Sequence, residues 1–409
     1  MTRTLLTNAS VLDCERATPV PDRSVLVEDG VIVDVDGPGL RARDARVIDV
    51  GGRTLMPGLI DAHVHVTVVT TDVWGMAEWS PTYVAARAAR VMRGMLDRGF
   101  TTVRDVGGAD YGIAAATEEG WFEGPRILYG GKMLSQTGGA GDWRGPGRSV
   151  YDGHYCCPTL ATLCDGVDEV RKAVREEVRR GAHHVKVYLS GAVDAPTDRV
   201  DSTQFSMEEL RAVVEEAEAA NIYVAGHAYT SRALNRGLEA GIRSIEHGNL
   251  MDESSIPLFR EHGAFYVPTM STYHALAAHG ERLGVPPAAM RKLGGVLEGS
   301  LRALELAHRG GLQIAYGTDL LAEMHEEQLR EFELRTQVQP IADVIRSATV
   351  VAARLLRLEG RIGVVAPGAW ADLLVLDGDP LRDLAVLTRP QDHLRLVMKA
   401  GTVYRDTLT

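Results

Sequence analysis

The sequence predicts an α/β protein: a TIM (β/α)8 barrel carrying a small β-sandwich domain formed from both termini. Three observations lead there. Short apolar strands alternate with amphipathic helices through the middle of the chain, and β-rich segments broken by turn residues occupy both ends. The 409 residues suit a barrel of roughly 250–300 residues plus a smaller module. Residues 57–360 are expected to form the barrel, and 1–56 with 361–409 the composite β-domain.

The N-terminal segment reads TLLTNASVLD, SVLVEDGVIVDVD and ARVIDV, three β-type runs with turns between them. Asp29-Gly30 between alternating apolar positions signals a two-residue hairpin, because both turn positions need positive φ. The same texture returns in ADLLVLDG (371–378) and LRLVMKAGTVYRD (394–406), so one sandwich assembled from both ends is expected.

Eight barrel strands are expected at 59–66, 101–107, 126–131, 184–189, 222–228, 244–248, 265–270 and 314–319. Helix-like stretches fall at 81–98, 169–180, 207–220, 231–240 and 287–309, each with polar residues on one face, as outer barrel helices require. A doubly wound sheet competes, but no GxGxxG opens a helix after a strand. The connection 132–168 is long, Gly-rich and without clear periodicity, and connections of that kind are usually lids or binding segments.

A net charge of −11 disfavours nucleic acid and anionic membrane as partners and leaves a small molecule as the expected one. The first residues, MTRTLLTNASVLDCE, hold no apolar run of signal-peptide length, and no later stretch reaches the ~18 apolar residues of a membrane span. A cytoplasmic location is therefore expected. The four cysteines show no CxxC pattern and read as reduced thiols.

His63 and His65 lie two apart in an apolar strand, so strand alternation points both imidazoles to one side, here toward the C-terminal mouth where barrels keep their active sites. Alone, such a pair could be two packed histidines. Further metal-type side chains recur at the ends of later strands: Lys186 in HVKVYL, His227 in VAGHA, His247 in IEHG and Asp319 in YGTD. Charges gathered near a barrel mouth are costly unless paired or ligated, which favours a metal centre. A protonated lysine would be repelled by cations. Lys186 must then be neutral or modified, which burial and neighbouring positive charge promote, unless its stem simply carries it outward to solvent.

These residues resemble the amidohydrolase superfamily. The motifs are MPGLIDAHVHV (56–66), VKV (185–187), GHA (226–228), EHG (246–248), GTD (317–319) and GRIGVVAPGAWADLLVLDGDPL (360–381), spread over nearly the whole chain. The phrase GHAYTSRALNRGLEAGIRSIEHG is similar to the imidazolonepropionase-like branch with prolidases, carboxypeptidases and ochratoxin amidases. The resemblance implies two divalent metal ions, zinc in the first instance. His63, His65 and Asp319 would bind one, His227 and His247 the other, and N6-carboxylysine at Lys186 would bridge them. It implies hydrolysis of an amide or peptide C–N bond, beside a carboxylate-bearing residue, by a metal-bridging hydroxide. Asp319 would carry a proton to the leaving nitrogen, and Tyr229 of HAY would donate to the oxyanion unless it is only a mouth-lining aromatic.

One departure concerns specificity. Relatives often read TGGHGD after the third strand, with a histidine that helps hold substrate, where this chain reads TGGAGD with Ala140. Trp143, Arg144, Arg148 and His154 are candidate substitutes, and His325 beyond GTD is a minor candidate. The remaining histidines, including His183 and His184 at the opposite face, read as structural. The expected substrate is a small amide or dipeptide-like molecule, and homo-oligomerisation is left open. Two other classes compete. A mononuclear imidazolonepropionase-like hydrolase or deaminase acting on a cyclic substrate would manage without Lys186, and a non-catalytic scaffold would have no reason to keep the full ligand set.

Overall fold

The computed structural model describes residues 2–144, 160–195 and 197–408, with Trp74 described by its backbone alone. The barrel strands are β1 (Leu59–Val64), β2 (Phe100–Asp105), β3 (Arg126–Tyr129), β4 (His184–Tyr188), β5 (Tyr223–Thr230), β6 (Ser244–Leu250), β7 (Phe265–Val267) and β8 (Gln313–Ile314). Strands β1 to β3 form one parallel ladder and β4 to β8 another. Backbone hydrogen bonds close both seams: His183 N donates to Tyr129 O at 2.9 Å, Ala62 N to Tyr316 O at 2.8 Å, and Asp319 N to His63 O at 2.8 Å.

The eighth strand is regular over two residues, shorter than the expected 314–319. Beyond Ile314 the chain turns from β7 toward β1, and Gly317 permits the approach, since a Cβ there would lie 2.8 Å from the His63 Cβ. The seventh likewise ends at Val267, because Thr269 at φ 47° caps the helix Met270–His279.

Helices Pro81–Asp97, Val167–Arg179, Met207–Ala219, Ser231–Glu239 and Pro287–Arg309 fall on the expected stretches. Their apolar stripes account for it, and Ser206 with Glu209 forms a reciprocal capping box at the start of the third. The described ends of the connection 132–168 are more regular than their composition suggests. They form the strands Met133–Ser135 and Ala161–Leu163, which pair parallel, and the first also pairs with β4. Met133, Leu134 and Ala161 are buried, and this apolar anchoring holds the two strands in place.

Both termini meet in one eight-stranded sheet. Thr402–Asp406, Leu394–Lys399, Leu373–Leu376, Thr54–Pro57, Arg3–Asp13, Thr18–Glu28 and Val31–Asp36 follow in that order, with Arg46–Asp49 on Arg3–Asp13. The sheet folds over itself around Leu6, Val25, Ile32, Leu55, Leu373 and Leu396. Ile32 N donates to Ala369 O at 2.8 Å, tying the two ends together. Asp29 and Gly30 take φ of 44° and 82°, the hairpin their sequence predicted. Among the described residues no helix is long and apolar enough to cross a membrane.

Candidate active site

The C-terminal strand ends surround a cavity of about 330 Å³. His63, His65, Lys186, His227, His247, Asp319 and Tyr229 all line it, so the structure brings together every ligand candidate read from the sequence. Asp319 Oδ1 lies 3.3 Å from His63 Nε2 and 3.2 Å from His65 Nε2, and ligand atoms of these three residues sit within 4.8 Å of one another. The His63 and His247 rings are 5.0 Å apart and those of His227 and His247 4.5 Å, which continues the cluster across the mouth.

Each histidine is held through one nitrogen. His63 Nδ1 meets Glu246 Oε2 at 2.7 Å, His65 Nδ1 meets Gly107 O at 2.7 Å, His247 Nδ1 meets Thr269 Oγ1 at 2.8 Å, and His227 Nε2 meets Gly191 O at 3.2 Å. This is how proteins fix the tautomer and aim of a metal-ligating imidazole. The nitrogen left over on His63, Nε2, is buried and has no hydrogen-bond partner. A buried imidazole nitrogen facing a carboxylate and further imidazoles fits a cation, and so does the N/O donor set as a whole.

The electrostatics agree. Burial pushes the His227 pKa down to about 3, and burial, with the neighbouring His227, His63 and Lys186, holds His247 well below its usual value, so the neutral imidazole is favoured at both. Burial alone would raise the Asp319 carboxyl. His63, His65 and His247 outweigh it and hold Asp319 well below the usual carboxylate range. Lys186, 2% exposed, is pushed down to about 8 by burial, within reach of the neutral amine.

Two of the ligand candidates sit in left-handed backbone, His247 at φ 75° and Asp319 at φ 56°. Non-glycine residues there cost about 1–3 kcal/mol each and persist where surroundings over-determine them, as at active sites. Asp61 supplies part of that constraint. Its Oδ1 accepts from His63 N and Thr318 N, and its Oδ2 from Thr318 Oγ1 and Gln328 Nε2, which binds the β1 end to the β8 end.

Sequence reading missed the layer behind the candidate ligands. Glu246 holds His63 and is itself held by Arg104, whose Nη2 donates to Glu246 Oε1 at 2.8 Å and Oε2 at 2.9 Å. Arg104 and Glu246 are both fully buried, and Ser244 Oγ completes the group at 2.6 Å from Glu246 Oε1. The signal was a charged residue one position from a candidate ligand in EHG. Tyr273, on the helix after β7, also lines the cavity and was not anticipated.

Of the substrate candidates, Trp143 lines the cavity. Arg144 departs from expectation: its guanidinium grips Asp142 at 2.7 Å through both Nε and Nη2, so that fork is occupied within its own loop. His325 departs too, being 3% exposed and absent from the cavity wall. Arg148 and His154 lie outside the described residues. Ala140 is fully buried and donates its N–H to Gln204 Oε1 at 3.1 Å.

Comparison with known proteins converges on one group. The Amidohydrolase family profile matches residues 54–404. Ochratoxinase of Aspergillus niger is 32% identical over 365 residues, covering 86% of this chain and 75% of that protein. A prolidase solved in complex with N-methylphosphonate-L-proline is 44% identical with a TM-score of 0.96, over 99% of this chain and 100% of that one. A Xaa-Pro dipeptidase with methionine bound in its active site is 29% identical with a TM-score of 0.88, over 99% and 100% of the two chains.

Proposed function

The chain belongs to the amidohydrolase family, and from that premise we propose that it is a binuclear metal-dependent hydrolase cleaving the C–N bond of a small amide or dipeptide-like substrate. The observation that carries this is the meeting of His63 Nε2, His65 Nε2 and Asp319 Oδ1 within 4.8 Å, on a cavity wall shared with Lys186, His227 and His247. His63, His65 and Asp319 would hold one divalent ion, zinc in the first instance, and His227 and His247 the second. Lys186, as N6-carboxylysine, would bridge them. Bound there, the two ions supply an activated water and polarise the scissile carbonyl.

The chain's own residues do the rest. The depressed Lys186 leaves a neutral amine available to take up carbon dioxide, releasing one proton and gaining an anionic two-oxygen head. Asp319 is a base of low proton affinity placed to receive the water's proton and return it to the departing nitrogen. Tyr229, buried between His227 and Tyr273, presents its hydroxyl to the carbonyl oxygen as charge develops.

The reading extends to a carboxylate beside the scissile bond. Among the described residues lining the cavity Lys186 is the only lysine or arginine, and Arg148 and His154, the substrate contacts proposed from the sequence, lie outside the described residues. A one-metal, imidazolonepropionase-like reading would use the His63, His65 and Asp319 triad alone, and the buried Lys186 favours two ions. The division into a 57–360 barrel and a composite domain of 1–56 with 361–409 belongs to this proposal, as does a cytoplasmic setting, which suits the free cysteines Cys14 and Cys164. The test is release of free amine from a panel of dipeptides and N-acyl amino acids by metal-replete protein. Inertness across the panel would overturn the amidase reading.

A further inference from the structure

We propose that Tyr273 is a positioning residue for amide hydrolysis, acting through Tyr229; this rests on the reading of Tyr229 as donor to the developing oxyanion. Tyr273 Oη donates to Tyr229 Oη at 3.2 Å. Tyr229 and Tyr273 are 3% and 2% exposed, both line the cavity, and their rings stand 5.6 Å and 6.1 Å from that of His247. Two hydroxyls in contact share one hydrogen, so the direction of donation decides which keeps a free proton. With Tyr273 as donor, the hydrogen of Tyr229 is left to point into the cavity.

Neighbouring groups favour that direction. His247 Nδ1 meets Thr269 Oγ1 at 2.8 Å, which leaves Nε2 as the nitrogen for ligation and places the ring hydrogen on Nδ1. Thr269 then accepts from His247, and its own hydroxyl hydrogen is free for the adjacent Tyr273 oxygen. Donation thus runs from the ligand histidine through Thr269 and Tyr273 to Tyr229. Thr269 is fully buried and held at φ 47°, which keeps this sequence of groups in register.

Geometry separates this role from plain packing. A phenol hydroxyl rotates about its C–O bond, and the two groups that donate to Tyr229 Oη, the Tyr273 hydroxyl and the Val193 backbone N–H, restrict where its own hydrogen can turn. Removal of the Tyr273 hydroxyl would keep ring volume and cavity shape but leave the Val193 N–H as the one remaining donor among those two, loosening that rotation. The effect should therefore appear when charge builds on the carbonyl oxygen, in kcat, and not in ground-state binding.

The experiment is a cycle of wild type, Tyr229→Phe, Tyr273→Phe and the double variant. Each is measured for metal content, melting temperature, kcat and KM on the amide that wild type cleaves best, and Kd for an N-methylphosphonyl amino acid, a tetrahedral mimic. Tyr229→Phe should lower kcat by about a hundredfold, and Tyr273→Phe by about tenfold, the scale of one hydrogen bond. KM and metal content should hold in both. The double variant should be no worse than Tyr229→Phe, because Tyr273 has nothing left to act through. Phosphonate binding should weaken in the same order, a readout independent of turnover. Multiplying losses in the double variant, an effect on KM in place of kcat, or an unchanged Tyr273→Phe would overturn the proposal. An unchanged Tyr229→Phe would overturn it together with the Tyr229 assignment. Wild type inert on every amide but binding the phosphonate would refute the amidase reading while the binding cycle still decides the role of Tyr273.

Discussion

His63 and Glu246, 183 residues apart in the chain, meet at 2.7 Å between Nδ1 and Oε2 with both side chains buried. Burial alone would raise the Glu246 carboxyl, but Arg104 and His63 hold it well below the usual carboxylate range. Glu246→Gln should lower metal affinity by about ten- to a hundredfold, since His63 loses its aim. It should also destabilise by about 3–5 kcal/mol, because Arg104 is left as an uncompensated buried charge. Metal titration and thermal melting check both, and a variant that binds metal as wild type does would separate Glu246 from the centre.

Lys186→Ala should lose most activity and regain part of it with added short-chain carboxylic acids, which can occupy the space of a carbamate. Rescue by amines in place of acids would contradict the carbamate.

A related expectation concerns pH. The neutral amine of Lys186 gains population as pH rises through about 8, so carbon dioxide uptake should accelerate over that interval. Protein stripped of metal and carbon dioxide, then given both, should reactivate faster at pH 9 than at pH 7, about tenfold if the neutral fraction alone governs. A flat profile would argue against carboxylation at this lysine.

Metal removal should lower the melting temperature, and divalent ion should restore it in a concentration-dependent way, as for any ligand that binds the folded state alone. Elemental analysis of fully active protein should give about two ions per chain, in keeping with a two-ion catalytic site. A value of one with full activity would leave only the His63, His65 and Asp319 site.

Asp319→Asn keeps side-chain volume while removing charge and proton-accepting oxygen. It should reduce kcat on an amide by at least about a hundredfold, and by less on an activated ester of the same acyl group, whose leaving group departs without a proton. Equal losses on both at unchanged metal content would show that Asp319 does not protonate the leaving group.

The barrel and the cluster of side chains at its mouth were legible because their signals are local. Strand alternation puts His63 and His65 on one side whatever lies elsewhere, Lys186, His227 and His247 each lie in an apolar run that forms a buried strand, and Asp319 follows the short eighth strand Gln313–Ile314. The helix limits followed from apolar spacing and from caps such as Ser206, also local. The regular ends of the 132–168 connection were hidden because Met133–Ser135 pairs with β4 and Ala161–Leu163 with Met133–Ser135, residues far off in the chain. The engagement of Arg144 with Asp142, two residues away, was hidden for another reason, since side-chain direction in a loop has no period.

By itself, then, the sequence determined the β/α order, the hairpin at Asp29-Gly30 and the identity of the groups at the barrel mouth. Tertiary structure alone decided which nitrogen each histidine presents, through Glu246, Gly107, Gly191 and Thr269. It likewise decided that Tyr273 meets Tyr229 across 44 residues and that His247 and Asp319 adopt left-handed backbone. The physical reason is range: side-chain periodicity and capping act over a few residues, whereas the partner of a buried polar atom is fixed only when closure of the barrel brings distant strand ends together.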